Sequence, residues 1–140
     1  MTRRRALLLL SLLLAPAALA DGSAAPGGKA PYKASEELLK ASETVAGEPL
    51  KWPEGKPQVR TVVVTLQPGE STAKHTHGSP LVAYVLQGTL RVAYDGVGAR
   101  TYAAGESFVE ALAVPHVGTN VGSGLVRILA VFVEGAAGKE

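Results

Sequence analysis

The chain has 140 residues, of which 46% are hydrophobic, and a formal net charge of +2. This length and composition predict one globular domain and exclude a disordered or collagen-like chain. The lack of cysteine excludes disulfide scaffolds, zinc fingers, iron–sulfur sites and thiol nucleophiles. Arg3, Arg4 and Arg5 account for the positive charge, since residues 21–140 carry eleven basic and twelve acidic side chains. We therefore expect no nucleic-acid partner.

Residues 1–20 have the features of a secretory signal peptide. A basic start is followed by a leucine-rich run over residues 6–14 and by an A-x-A cleavage site at residues 18–20. The apolar run is shorter than the roughly 20 residues that a membrane-spanning helix needs. We predict cleavage before Asp21, and hence a periplasmic or secreted protein without membrane contact; a retained anchor is the alternative. The export route, general or twin-arginine, stays open.

The next two segments are predicted to lack regular strands. Residues 21–31 are small and rich in glycine and proline, which is typical of a flexible leader. Residues 32–56 contain one stretch compatible with a short helix, but their later part favours extended chain with a turn near Gly47. We expect residues 32–56 to form an extended N-terminal segment, with Trp52 packing it on the domain that follows.

From Pro57 onward, short apolar runs alternate with turn residues. The runs VRTVVVTL, LVAYVL, TLRVAY, RTYAA, SFVE and LVRILAVFV have the length and composition of strands. They recur at intervals of roughly 8–12 residues, which is typical of an antiparallel sandwich or barrel. We therefore predict an all-β domain over residues 57–134, followed by a short tail at residues 135–140.

Two of these runs indicate which faces are buried. Leu90, Val92 and Tyr94 are each separated by one residue, so this strand is predicted to bury one face. Arg91 is then expected on the solvated outer face. The run Leu125–Val133 is almost continuously apolar, and we expect it to be covered on both faces.

The sequence contains three histidines, and their placement indicates a metal site. His75 and His77 are two residues apart in a segment expected to be extended, so both imidazoles lie on one side of it. His116 lies near the start of a later strand, and two such strands side by side would bring three ring nitrogens together. Neutral imidazole is the commonest metal ligand in proteins. Three such ligands leave coordination positions open for water or substrate.

Two blocks around these histidines resemble the paired motifs of the cupin superfamily. The motif positions are occupied by Gly69, His75, His77, Gly88, Gly105, His116 and Asn120. The resemblance implies a double-stranded β-helix, or jelly-roll barrel, with a metal held by the three histidines. We expect the three glycines to form turns that need a positive φ, and Asn120 to bond the backbone.

The resemblance departs from the family motifs at the fourth metal ligand. The family's glutamate would fall at Leu81 or Val82, and neither side chain can coordinate a metal. In the second motif, Ala111 and Ala113 replace a proline and a glycine. Three possibilities follow: a three-histidine site, a replacement carboxylate from elsewhere, or a site that has lost its metal.

Glu110 is the candidate replacement ligand, because it interrupts an apolar run six residues before His116. A buried carboxylate is costly unless it has a partner such as a metal or another charged group. The alternative is that Glu110 faces solvent at a strand end. Glu110 and Tyr84 are also the candidate catalytic residues, although core packing suits Tyr84 and Tyr102 better.

The resemblance implies a divalent metal cofactor, namely iron, manganese, zinc or nickel, and a small-molecule ligand or substrate. One hypothesis is a metal-dependent dioxygenase or isomerase. The alternative is a non-catalytic barrel that binds a small molecule with or without a metal, and the scarcity of polar candidates favours it. Unpaired strand edges invite association, so we also expect a homodimer.

Overall fold

The structure is a computed structural model that describes residues 34–136. The strands are β1 (Lys56–Leu66), β2 (Leu81–Gln87), β3 (Thr89–Tyr94), β4 (Gly98–Ala103), β5 (Ser107–Val109), β6 (His116–Asn120) and β7 (Val126–Ala136). No helix occurs in this part of the chain, and the all-β prediction is confirmed. The predicted signal peptide and leader lie outside the described residues. Among residues 34–136, no helix is long and apolar enough to cross a membrane.

The strands form two antiparallel sheets. The first has the order β1-β7-β2-β5, and the second has the order β4-β3-β6. The chain passes from the first sheet to the second at Gly88, between β2 and β3. Gly88 has a φ of 83°, and a side chain there would collide with the carbonyl oxygen of Leu125. Its predicted role as a turn residue is therefore confirmed, since only glycine adopts this conformation without strain.

The core lies between the inner faces of the two sheets. Leu90, Val92 and Tyr94 are buried and Arg91 is exposed, as their alternation predicted. The other large buried side chains of the core include Leu66, Val85, Tyr102, Phe108, Val126 and Ile128. Apolar burial of this kind contributes about 25 cal/mol per Å² of surface removed from water.

The prediction that both faces of β7 are covered was only partly right. Val126, Ile128 and Ala130 are buried on the inner face, but Arg127 is exposed and Leu129 is only half-buried. The second sheet covers just one face of β7, so the other face depends on the N-terminal segment. That segment reaches Leu129 but not the whole strand.

Asn120 joins the end of β1 to the turn that follows β6 through its side chain. Its Nδ2 donates hydrogen bonds to the carbonyl oxygens of Leu66 (3.0 Å) and Gly124 (2.8 Å). Its Oδ1 accepts a hydrogen bond from the Gly122 N–H at 2.9 Å. The amide is buried with every bond directed at backbone, and the predicted structural role is confirmed.

The N-terminal segment is extended and turns at Gly47, where φ is 79°. It attaches to β5 through a hydrogen bond from the Val45 N–H to the Val109 carbonyl oxygen (2.9 Å). Val45 and Ala46 pack against the core. The prediction that Trp52 packs this segment was wrong, because Trp52 is 83% exposed. Val45 and Ala46 pack this segment on the core instead.

Candidate metal centre

The three histidines lie together at one end of β6. Residues 69–77 run along the edge of β6, and His75 pairs with His116 through two backbone hydrogen bonds of 3.1 and 3.0 Å. The imidazole centroids are separated by 4.8 Å (His75–His77), 4.5 Å (His75–His116) and 5.1 Å (His77–His116). One ring nitrogen from each lies within 4.8 Å of the others. The structure thus brings together the three residues that the spacing predicted.

Backbone carbonyls hold two of the rings in one tautomer. The Nδ1 atom of His75 donates to the Ala73 carbonyl oxygen (2.8 Å), and that of His116 donates to the Val114 carbonyl oxygen (2.9 Å). A carbonyl can only accept, so Nδ1 carries a hydrogen, and in the neutral ring Nε2 is the nitrogen with the lone pair. Metal-binding histidines are commonly oriented in this way.

Two of the Nε2 atoms are buried and have no hydrogen-bond partner among residues 34–136. They belong to His77 and His116, and His116 is only 1% exposed. Burying an unpartnered polar atom is unfavourable, and such groups need an explanation in a native fold. A divalent metal fits these residues, because it would accept the lone pairs that the protein leaves unpartnered.

The protonation state of His77 also suits a metal ligand. Burial lowers the pKa of His77, and the neighbouring imidazoles of His75 and His116 lower it further, to about 4. The ring is therefore neutral at physiological pH. Neutral imidazole is the form that binds a metal, because only that form has a free lone pair.

Glu110 lies beside this cluster and is only 7% exposed. Its Oε1 accepts a hydrogen bond from the Ala111 N–H (2.8 Å), and its Oε2 lies 3.8 Å from His116 Nε2. The alternative that Glu110 faces solvent is therefore wrong.

Two tyrosines line the core next to Glu110. Tyr102 stacks on Phe108 with centroids 3.7 Å apart, so its predicted packing role is confirmed. The Tyr94 ring centroid lies 5.6 Å from that of His116. Both hydroxyls are buried near Glu110, and neither has a hydrogen-bond partner of normal geometry in the described part of the chain. Burial raises the pKa of Tyr94 far above its usual range, and the charge of Glu110 adds to this.

The sequence pattern placed Tyr94 on the buried face of its strand but did not indicate that it lies beside the histidines. Tyr84, in contrast, was expected in the sequence as a candidate catalytic residue. On β2 the inner positions are Leu81, Ala83 and Val85, so Tyr84 projects from the outer face. There it lies beside residues 36–39 of the N-terminal segment. The structure does not bring this candidate catalytic residue to the histidines.

Strand β2 contains both positions, Leu81 and Val82, at which the family's glutamate would fall. Leu81 is buried and lines the cavity beside the histidines, whereas Val82 projects outward. The cavity has a volume of about 100 Å³, which corresponds to about three water molecules in the liquid. Its walls are mostly apolar, and Thr72 and Glu110 are the polar residues that line it besides the histidines. The free space beside the histidines is therefore small.

Glu48 holds the loop that precedes His116, and sequence reasoning missed it. Its carboxylate accepts hydrogen bonds from the N–H groups of Leu112 (2.6 Å) and Ala113 (2.7 Å). The Thr44 hydroxyl donates to the same carboxylate at 3.0 Å. The Leu112 carbonyl oxygen in turn accepts the N–H of His77 at 2.9 Å. Glu48 therefore orders the loop in which alanines replace the motif's proline and glycine.

Comparison with protein families finds one match. Residues 62–132 match the family model described as a cupin domain. No curated protein matches the chain in sequence. The matched residues include all three histidines and Glu110.

One solved structure shows the same fold. The Schizosaccharomyces pombe Cnp3 cupin domain has a TM-score of 0.51 and 16% identity, and the alignment covers 57% of this chain and 58% of that domain. An oxalate oxidase gives a TM-score of 0.48 at 27% identity, with 53% of this chain and 41% of the oxidase covered. A Lactobacillus farciminis oxalate decarboxylase in complex with formate gives 0.49 at 28% identity, with 56% and 25% covered. This chain thus matches less than half of either enzyme.

We predict that Glu48→Gln destabilises the protein by about 1–2 kcal/mol, because an amide accepts only one of the two loop N–H groups well. Burial alone would raise the pKa of Glu48, but hydrogen bonds from Leu112, Ala113 and Thr44 outweigh it and lower the pKa. The unfolded chain then binds more protons than the folded chain below about pH 4.5. Stability contributed by Glu48 is present above that pH and is lost as the pH falls below it.

Urea denaturation at several pH values would measure this effect. The Glu48→Gln variant should lose stability at neutral pH and show a flatter decline in acid than the unsubstituted protein. Glu54→Gln is the matched control, because Glu54 is exposed in the same segment and should change stability by less than about 0.5 kcal/mol. Equal effects of the two substitutions would contradict the role assigned to Glu48.

Proposed function

The chain belongs to the cupin family, and we propose that it holds one divalent metal ion through His75, His77 and His116 and acts on a small molecule beside it. One observation carries this proposal. The Nε2 atoms of His77 and His116 are buried without a hydrogen-bond partner in the described residues, while carbonyls hold Nδ1 of His75 and His116. This arrangement leaves lone pairs directed at a common point.

The proposed reaction is either a dioxygenation or an isomerisation. Iron, manganese, zinc and nickel all accept imidazole ligands, and a bound ion would supply redox chemistry with O₂ or Lewis-acid polarisation of a carbonyl. Glu110 is the residue placed to accept a proton from the substrate, since one of its oxygens faces the cluster and the other is held by the Ala111 N–H. The walls of the cavity around this carboxylate are mostly apolar.

A second candidate function is binding without catalysis. It is supported by the scarcity of polar groups in the cavity, where Thr72 and Glu110 accompany the three histidines. Enzyme sites usually contain more convergent polar groups than this. In that case the ion would anchor a small ligand in the apolar cavity, and Glu110 would serve as a fourth ligand rather than as a base.

Elemental analysis of the purified protein tests the metal centre. We expect about one ion of a single metal per chain, because three histidines form one site. The His75→Ala/His116→Ala double variant should contain none while keeping its fold by circular dichroism. An unsubstituted protein that refuses every divalent ion would overturn the proposal.

Glu110→Gln separates the roles of ligand and base. As a base, Glu110 is dispensable for holding the metal, so the variant should keep its metal and lose turnover. As a ligand, its substitution should weaken metal affinity by about 10–100-fold. If the resident metal is iron, oxygen consumption with small organic acids tests for a dioxygenase. Full activity in Glu110→Gln would exclude both roles.

We also propose that the protein is exported and that its mature form begins at Asp21. The basic start, the apolar run over residues 6–14 and the A-x-A site at residues 18–20 support this. Mass spectrometry of the periplasmic or secreted protein should give the mass of residues 21–140. A full-length mass in the membrane fraction would instead support the retained anchor.

We further propose a homodimer formed through β1. This strand has eleven residues and lies at the edge of its sheet, with Val59, Val62 and Val63 exposed. A long apolar edge strand favours pairing with another chain. Val63→Lys should convert the dimer to a monomer in sedimentation experiments. Val97→Lys is the matched control, because Val97 is similarly exposed (48% against 46%) but lies in the turn between β3 and β4.

The two lysine variants distinguish a specific interface from general loss of solubility. Only Val63→Lys should change the sedimentation coefficient, since the control adds the same charge elsewhere. A monomeric unsubstituted protein, or an equal effect of both variants, would contradict pairing through β1.

A further inference from the structure

A surface groove meets the metal centre at His77. It has a volume of about 240 Å³, and its walls include Pro49, Lys51, Trp52, Pro53, His77 and Leu112. Among the described residues, His77 alone lines both this groove and the cavity beside the histidines. The cavity, whose volume is about 100 Å³, and the groove therefore both border His77.

Trp52 is the unusual residue of this groove. It is 83% exposed, the largest exposed fraction among the exposed large hydrophobic residues of the described chain. Leaving an indole in water forgoes the free energy of burying its apolar surface, and the fold does not use Trp52 for packing. Tryptophan is among the residues that contribute most to binding when exposed at a recognition surface.

The backbone around Trp52 is restricted, so the indole is presented from a stable position. Pro53 limits the conformation of Trp52 to extended chain. The Leu50 N–H donates to the Ser42 carbonyl oxygen at 2.9 Å, which ties the strand of the N-terminal segment together. A restricted backbone loses less conformational entropy on binding than a mobile one. These features favour a flat ligand lying against the indole.

The charge of the groove is set by Lys51. This lysine forms no ion pair with any residue in 34–136, and none of the residues that line the groove is acidic. An uncompensated ammonium group at the wall attracts an anion, and a carboxylate is the common organic anion of suitable size. Lys51 and Trp52 are neighbours in sequence and line the same groove.

We propose that the Trp52 groove binds an aromatic carboxylate, with the ring against Trp52, the carboxylate near Lys51 and the remaining substituent directed at His77. The inference rests on the proposed function in one respect: the groove would then select the substrate of the metal centre. Binding in the groove itself needs neither a metal nor turnover.

Fluorescence provides a direct test, because Trp52 is the only tryptophan of the chain. Phenylacetate is the probe, phenylacetamide has the same shape without the charge, and acetate has the charge without the ring. Titration of the full chain with phenylacetate should change the Trp52 emission to saturation. Phenylacetamide should bind at least about threefold more weakly, and acetate should leave the emission unchanged.

Variants assign the contacts, with binding measured by calorimetry. Trp52→Ala should weaken phenylacetate binding about three- to tenfold, and Trp52→Phe should restore most of it. Lys51→Gln should remove the preference for phenylacetate over phenylacetamide. Lys56→Gln is the matched control, because this exposed lysine at the start of β1 is outside the groove, and it should leave the preference intact.

Failure of this inference can be told apart from failure of the metal centre. Phenylacetate should bind equally well to the His75→Ala/His116→Ala variant, in which no metal is expected. A protein that binds a metal but shows no change in fluorescence or heat with phenylacetate would contradict ligand binding in the groove. It would not contradict the metal centre. Unchanged phenylacetate affinity in Trp52→Ala would also overturn it.

Discussion

The backbone pairing of His75 with His116 is the contact on which the rest of the site depends. These residues are far apart in the chain, and two hydrogen bonds place them opposite each other at the edge of β6. Because side chains two residues apart on extended chain share a face, His77 then joins the same side. The carbonyls of Ala73 and Val114 fix the orientation of the His75 and His116 rings. Backbone geometry therefore determines where the Nε2 atoms of these two residues point.

Two carboxylates lie where this chain departs from the family motifs. Glu48 holds the loop before His116 in place of the usual proline and glycine, because charged hydrogen bonds to backbone N–H groups order a loop strongly. Glu110 provides a carboxylate beside the histidines. Leu81, at the position of the family's glutamate, lines the same cavity with an apolar side chain. Glu110 directly precedes this loop and Glu48 reaches it from the N-terminal segment, so the N-terminal segment is part of the site's support.

The inner cavity and the outer groove differ in the side chains that line them. The cavity is small and lined mostly by aliphatic and aromatic side chains, with the histidines, Thr72 and Glu110 as its polar residues. The outer groove carries the exposed indole of Trp52 and the charge of Lys51. Since His77 lies between them, a ligand held in the groove could be oriented without adding polar groups to the cavity.

The sequence by itself determined the strands, the inward alternation of Leu90, Val92 and Tyr94, and the three histidines, because these depend on local spacing. Only the tertiary structure decided which other groups meet them. Glu48 finds its loop partners 64 and 65 residues away, and no local pattern encodes that contact. Burial of Glu110, the outward face of Tyr84 and the exposure of Trp52 likewise depend on how the sheets and the N-terminal segment pack, which spacing along the chain does not specify.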